Sequence, residues 1–177
     1  VAPNGDIYVG DGYGSSYINQ YDSNAKYIRT FGGKGSAAGQ LDCPHGITVD
    51  VRGKTPVLTV ADRSNKRLQH FDLEGKHIAF TQSDKLTAPC HFNMRKGKVV
   101  VPDLDASVAL LDENNNIITA LGRADDAKQA RTLRTKEREA FVPGQFICPH
   151  GACFDHKGNI YVVEWVEVGR VTKLQKV

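Results

Sequence analysis

Residues 43–82 read CPHGITVDVRGKTPVLTVADRSNKRLQHFDLEGKHIAFTQ. Short apolar runs rich in Val, Ile, Leu and Phe alternate with turn residues, the pattern of strands and tight connections. His45–Asp50 is one strand and Arg52-Gly53 a turn; Pro56–Ala61 is a second strand, ending at Asp62. Arg67–Asp72 is the third, Glu74-Gly75-Lys76 its turn, and His77–Thr81 the fourth. Four antiparallel strands in sequence order make one blade-like unit.

The unit recurs on both sides. Upstream, Asn4-Gly5 precedes Asp6–Gly10 and Asp11, followed by Tyr17–Asp22, Asn24-Ala25-Lys26 and Tyr27–Phe31. Downstream come His91–Met94, Lys96-Gly97, Val99–Val101, Asp103, Val108–Asp112, Glu113–Asn116 and Ile117–Leu121. The last copy has His150–Phe154, Lys157-Gly158, Ile160–Val163, Glu164 and Arg170–Leu174. The acids that close the second strands (Asp11, Asp62, Asp103 and Glu164) are 51, 41 and 61 residues apart. Their spacing is close to a β-propeller blade period. The fold class is therefore all-β, a β-propeller, with blades at about 1–40, 41–84, 87–122 and 147–177 of a single propeller domain 1–177. The first blade is short of its inner strand and the last of its outer one. That points to the C-terminal part of a larger propeller, with closure on four blades as the alternative.

The uneven spacing comes mainly from an insertion at Arg123–Gln145. Its core, Ala124–Ala140, has no Gly or Pro and is rich in Ala, Arg, Lys and Glu, so it reads as one surface helix. A solvated loop is the other possibility.

The chain has 177 residues, a formal charge of +3 and 17 glycines, enough for a sizeable core. Basic and acidic residues interleave, which argues against nucleic acid and membrane partners. The one basic concentration, Lys128, Arg131, Arg134, Lys136 and Arg138, is diluted by Asp125, Asp126, Glu137 and Glu139. No stretch reaches transmembrane length and no leader pattern is present.

Cys-Pro-His-Gly stands twice, at Cys43–Gly46 and Cys148–Gly151, with a near-copy at Pro89-Cys90-His91. In a propeller the first strand of each blade lines the channel and starts on the face where the second one ends. His45, His91 and His150 head first strands, while Tyr13 and Arg63 follow acids that close second strands. All five then share the channel mouth. Converging neutral imidazoles with an open position suit Zn2+. His91 departs from the pattern: Pro-Cys replaces Cys-Pro, and its turn glycine comes six residues on rather than eight. Of the four cysteines (Cys43, Cys90, Cys148 and Cys153), Cys43 and Cys148 sit two before a histidine and face its side in a regular strand. A reduced, half-buried role is the simpler reading for the cysteines, with ligation secondary.

Asn4-Gly5-Asp6-Ile7-Tyr8-Val9-Gly10-Asp11-Gly12-Tyr13 and Val60-Ala61-Asp62-Arg63-Ser64-Asn65-Lys66-Arg67-Leu68-Gln69 resemble NHL repeats. More closely, they resemble the catalytic core of the peptidyl-α-hydroxyglycine α-amidating lyases. The resemblance implies a six-bladed propeller with three zinc histidines, a catalytic tyrosine and two arginines. Such a site cleaves a peptidyl-α-hydroxyglycine to a peptide amide and glyoxylate. On it, Tyr13 after Asp11-Gly12 is the catalytic tyrosine and Arg63 after Ala61-Asp62 an active-site arginine. His45 and His150, each after a proline, are zinc ligands. His91 falls in a blade where the family has none, and stands as a local variation or a substitute ligand.

The remaining family histidine and arginine belong to blades ahead of Tyr13. Gly14 replaces a disulfide cysteine, and Gly151 replaces an acid tied to structural calcium, which argues against Ca2+ here. The implied partner is a small-molecule or peptide substrate at the channel mouth, with zinc as cofactor and an extracellular or periplasmic location. A non-catalytic propeller that binds a ligand or protein partner is the rival reading.

Overall fold

A computed structural model describes residues 1–177. The backbone forms two compact units, Val1–Gln82 and Ser83–Val177. Each consists of two antiparallel meander sheets, as an NHL-like β-propeller requires.

In the first unit, β1 (Ile7–Gly10), β2 (Tyr17–Tyr21) and β3 (Tyr27–Gly32) form one sheet. The second sheet holds β4 (Pro44–Asp50), β5 (Val57–Asp62), β6 (Arg67–Phe71) and β7 (His77–Gln82) in sequence order. In the second unit, β8 (Asn93–Arg95), β9 (Lys98–Asp103), β10 (Ser107–Leu111) and β11 (Ile117–Leu121) make a four-stranded sheet. β12 (Pro149–Phe154), β13 (Ile160–Glu164) and β14 (Arg170–Leu174) make a three-stranded one. No helix is long and apolar enough to cross a membrane.

Burial follows strand order. Every residue of β6 is buried, whereas the outer strand β7 is mostly exposed. Inner strands packed on both faces lose the alternation of a half-exposed strand, hence continuous runs such as Val99–Val101. The first unit centres on Ile18, Leu41, Leu58, Val60 and Phe71, the second on Val100, Val108, Phe146, Ile160 and Val162.

The turns share one device. Asp22, Asp72, Asp112 and Asp155 each accept, through Oδ1, the backbone N–H groups two and four residues on. The residue three positions after each aspartate then takes a positive φ: Ala25, Gly75, Asn115 and Gly158. Asx turns of this kind tolerate the left-handed region. Asn159 and the turn amides hold the Asp155 carboxyl down to about 2.

Three expectations change. The helix is short, Ala127–Thr132, and is capped by Asp126, which accepts from the amides of Lys128 and Gln129. It passes into single 3-10 turns at Leu133–Thr135 and Arg138–Ala140. Tertiary contacts of its arginines override helix propensity. Arg131 pairs with Asp105 at 3.0 Å, Arg134 stacks on Trp165, and Arg138 donates to the carbonyls of Val168 and Gly169. His91 does not head a strand; it is exposed and lies two residues before β8. Cys43 and Cys148 precede β4 and β12 instead of lying in them, so strand parity does not apply.

His70 sits buried in β6, with Nδ1 3.0 Å from Thr59 Oγ1 and Nε2 3.0 Å from Thr81 Oγ1. A neutral ring suits two hydroxyls, one donating and one accepting. Burial pushes its pKa down to about 4, against 6.5 ordinarily. The unfolded chain therefore takes up a proton that the folded chain refuses. Stability is full above pH 6.5 and is lost as pH falls toward 4. Between pH 7 and pH 5 this site removes about 2 kcal/mol. Urea midpoints for wild type and His70→Gln should show that slope only in wild type; equal slopes would refute it.

Candidate metal and substrate site

The acids that end the second strands hold the segments that carry the candidate ligands. Asp62 Oδ1 accepts from the amide of Asp42 at 2.7 Å, and Glu164 Oε1 from Ile147 at 2.7 Å and Cys148 at 3.3 Å. Asp103 accepts from the amides of Thr87 and Ala88 at 2.6 and 2.9 Å. Two of these acids also bind an arginine: Asp62 holds Arg67 Nε at 2.7 Å, and Glu164 holds Arg170 Nε. Asp103 has no such arginine, and burial raises its pKa against the pull of its amide donors.

Each histidine stands at a β-bulge. Pro44 faces Asp62, but Ile47 already faces Val60, so one extra residue is inserted at His45-Gly46. Pro149 faces Glu164 and Gly151 faces Val163, which leaves His150 as the extra residue. Bulges re-aim a side chain out of the pleat, and they are common beside functional sites.

In the first unit, Tyr13 lies within a turn built on Asp11. The Asp11 carboxylate accepts from the Ser15 amide and hydroxyl at 2.8 Å and from the Gly14 amide at 3.1 Å, which holds its pKa below the ordinary value. Gly12 is required for this approach: a Cβ there would lie 2.5 Å from the Pro44 carbonyl oxygen. The turn thus rests on the backbone that precedes His45. The Tyr13 ring meets His45 edge-on, with centroids 5.9 Å apart and planes at 87°. It is 82% exposed.

Arg63 directs Nη1 toward Tyr13 Oη at 3.4 Å, with its guanidinium carbon 5.9 Å from the ring centroid. It makes no ion pair with Asp62 or Asp11, whose oxygens are taken by Arg67, Asn65, Ser15 and Gly14. Its Nε and Nη2 are buried and donate to nothing in the protein. Unpaired buried donors are rare and call for a physical reason. Those two nitrogens form one edge of the guanidinium fork, the edge that takes a carboxylate bidentately.

In the second unit, His150 is half-buried and its ring lies 6.4 Å from that of Trp165, which follows Glu164. The Arg134 guanidinium carbon stands 3.4 Å from the Trp165 centroid, and Arg134 Nε is buried without a hydrogen bond. In the sequence Arg134 is distinguished only as one member of a basic run. Cys148 is fully buried among Ala88, Leu104, Ile147 and Val166, and burial pushes its thiol pKa up. None of the four cysteines is in a disulfide. An unexpected neighbour of His150 is Cys90: its sulfur and an imidazole nitrogen lie within 4.8 Å. His91, next to Cys90, belongs to no such cluster and points to solvent.

Fold and repeats together make the chain an NHL-like β-propeller. No protein-family model matches it. It is 52% identical over 52 residues to Protein lin-41 of Caenorhabditis elegans, over 29% of this chain and 4% of that protein. Human NHL repeat-containing protein 3 is 34% identical over 74 residues, 41% of this chain and 20% of that protein. Peptidyl-glycine alpha-amidating monooxygenase A of Xenopus laevis is 39% identical over 75 residues, 40% and 8% respectively. The matched segments thus span at most a fifth of these relatives' lengths.

Among solved structures, virginiamycin B lyase from Staphylococcus aureus with quinupristin superposes with a TM-score of 0.65 at 12% identity, over 99% of this chain and 54% of that one. Hydrazine synthase of Kuenenia stuttgartiensis gives 0.67 at 10% identity, over 98% and 44%. Identities this low speak for the fold alone.

Proposed function

We propose that the chain carries a zinc-dependent, lyase-like site for a small α-hydroxy amide of the peptidyl-α-hydroxyglycine type. The observation that carries this is the grouping of Tyr13, His45 and Arg63 in the first unit, with two Arg63 nitrogens left unpaired. The partial match to the amidating monooxygenase supports it. Imidazole is a donor that zinc takes readily, and both bulges set a histidine at one register position, so the residues present fit the ion. His45 in the first unit and His150 in the second are each candidate zinc ligands. When bound, zinc supplies a Lewis acid for a substrate oxygen.

The other steps belong to side chains. Arg63 binds the substrate carboxylate through Nε and Nη2, a planar fork that lysine lacks. Tyr13 Oη accepts the proton of the α-hydroxyl. Arg63 Nη1 is directed at that oxygen from 3.4 Å and stabilises negative charge as it develops there. As that proton leaves, the carbinol C–O becomes an aldehyde carbonyl and the C–N bond breaks. The nitrogen keeps the electron pair and takes up the proton, giving a primary amide and glyoxylate. An extracellular or periplasmic setting belongs to the same proposal.

A second reading is a propeller rim that binds a peptide or protein without reacting. The exposed Tyr13 and the Trp165 platform stacked by Arg134 favour it, as aromatic anchors do at interfaces. Zinc-loaded protein incubated with a peptidyl-α-hydroxyglycine separates the two. Glyoxylate formed faster than in the protein-free control supports the lyase. No release, with retained peptide binding, supports the binding module.

A further inference from the structure

We infer that Cys90 is a metal-ligating thiolate, occupying in its blade the place that His45 and His150 occupy in theirs. The inference rests on the metal reading above and adds a ligand that the histidine motif does not contain.

Three marks of register agree. First, a proline faces the acid that closes the second strand: Pro44 with Asp62, Pro149 with Glu164, and Pro89 with Asp103. Second, the residue after the acid donates its amide to a carbonyl one residue before that proline. Arg63 donates to Cys43 at 3.3 Å, Trp165 to Cys148 at 2.8 Å and Leu104 to Ala88 at 2.9 Å. Third, each copy carries one extra residue between the proline and the next paired residue of its first strand. From Pro89, facing Asp103, to Asn93, facing Val100, there are four steps on one side and three on the other. The residue after the proline is therefore His45, His150 and Cys90.

The order Pro-Cys-His moves the cysteine into the ligand place and the histidine out of it. The environments agree: Cys90 is 1% exposed with its sulfur within 4.8 Å of a His150 nitrogen, while His91 faces solvent. Zinc takes sulfur at about 2.3 Å and nitrogen at about 2.0–2.1 Å, so a small side-chain adjustment closes the pair on one ion. Cys148 is different. It shares its place with Cys43 and Ala88, and an alanine there shows that this place requires only a small side chain.

Cobalt(II) titration of the reduced full chain tests the assignment. Wild type should develop a sulfur-to-cobalt charge-transfer band in the near ultraviolet beside the visible bands of tetrahedral cobalt. Cys90→His should keep the visible bands and lose the charge-transfer band, and Cys148→Ala should keep both. Zinc-edge X-ray absorption on wild type, which needs no variant, should show one sulfur neighbour at about 2.3 Å. Cobalt uptake with no charge-transfer band, or a band that survives Cys90→His, overturns the role of Cys90 and leaves the metal reading standing. No uptake of cobalt or zinc by wild type overturns both.

Discussion

Arg63→Lys should lower kcat/KM for glyoxylate release by about 100-fold, or about 2.7 kcal/mol of transition-state stabilisation. Lysine keeps the charge but offers no planar pair of donors to replace Nε and Nη2, both unpaired within the protein. Arg63 also directs Nη1 toward Tyr13 Oη. The loss should therefore divide between KM, through the carboxylate, and kcat, through the phenol. Tyr13→Phe isolates the second part: kcat falls about 10²–10⁴-fold with KM nearly constant. Steady-state glyoxylate kinetics on both variants decides. An Arg63→Lys enzyme within threefold of wild type would remove Arg63 from the site.

The second large effect is on stability. Asp62→Ala should cost about 3–5 kcal/mol, because it leaves a buried guanidinium without its counter-charge. Asp62 is fully buried and the Arg67 side chain is only 6% exposed. Arg67 keeps only neutral partners, the carbonyls of Ser36, Ala37 and Gln40. Its stack on Phe80, 4.1 Å from guanidinium carbon to centroid, also loses its anchor. Replacing both charges, as in Asp62→Leu with Arg67→Met, should recover part of the loss, since the unpaired charge is then gone. The same carboxylate holds the Asp42 amide, three residues before His45, so Asp62→Ala should also weaken metal binding. Urea midpoints give the first result and zinc affinity the second. A double variant no more stable than Asp62→Ala would mean that packing, and not the stranded charge, sets the cost.

Where sequence reading succeeded, local chemistry determined the structure. The strands were legible because apolar runs of five or six residues end in Asx turns that recur at the same step, as at Asp72 and Asp112. The two histidines stood out because Cys-Pro-His-Gly is repeated letter for letter. Cys90 is not legible from the histidine motif, because Pro89-Cys90-His91 inverts the order of Cys-Pro-His. Counted from the proline and its facing acid, the third copy places cysteine directly after the proline, in the segment that holds the extra residue. That signal was in the sequence, since Pro89 and Asp103 recur at the expected points, but the bulge that makes it meaningful is a pairing property. Strand parity failed for Cys148 for the same reason. The helix is shorter than its composition suggests because Arg134 and Arg138, beyond its end, each find a tertiary partner that a continuous helix would forgo. The unpaired nitrogens of Arg63 and Arg134 could be found only in three dimensions.

Zinc stoichiometry of the purified chain, before and after the paired change His45→Ala with His150→Ala, decides whether these histidines hold a metal ion. Bound zinc in wild type and none in the double variant, with the fold retained by circular dichroism, is the expected result. No bound zinc in wild type, or equal zinc in both proteins, would contradict it.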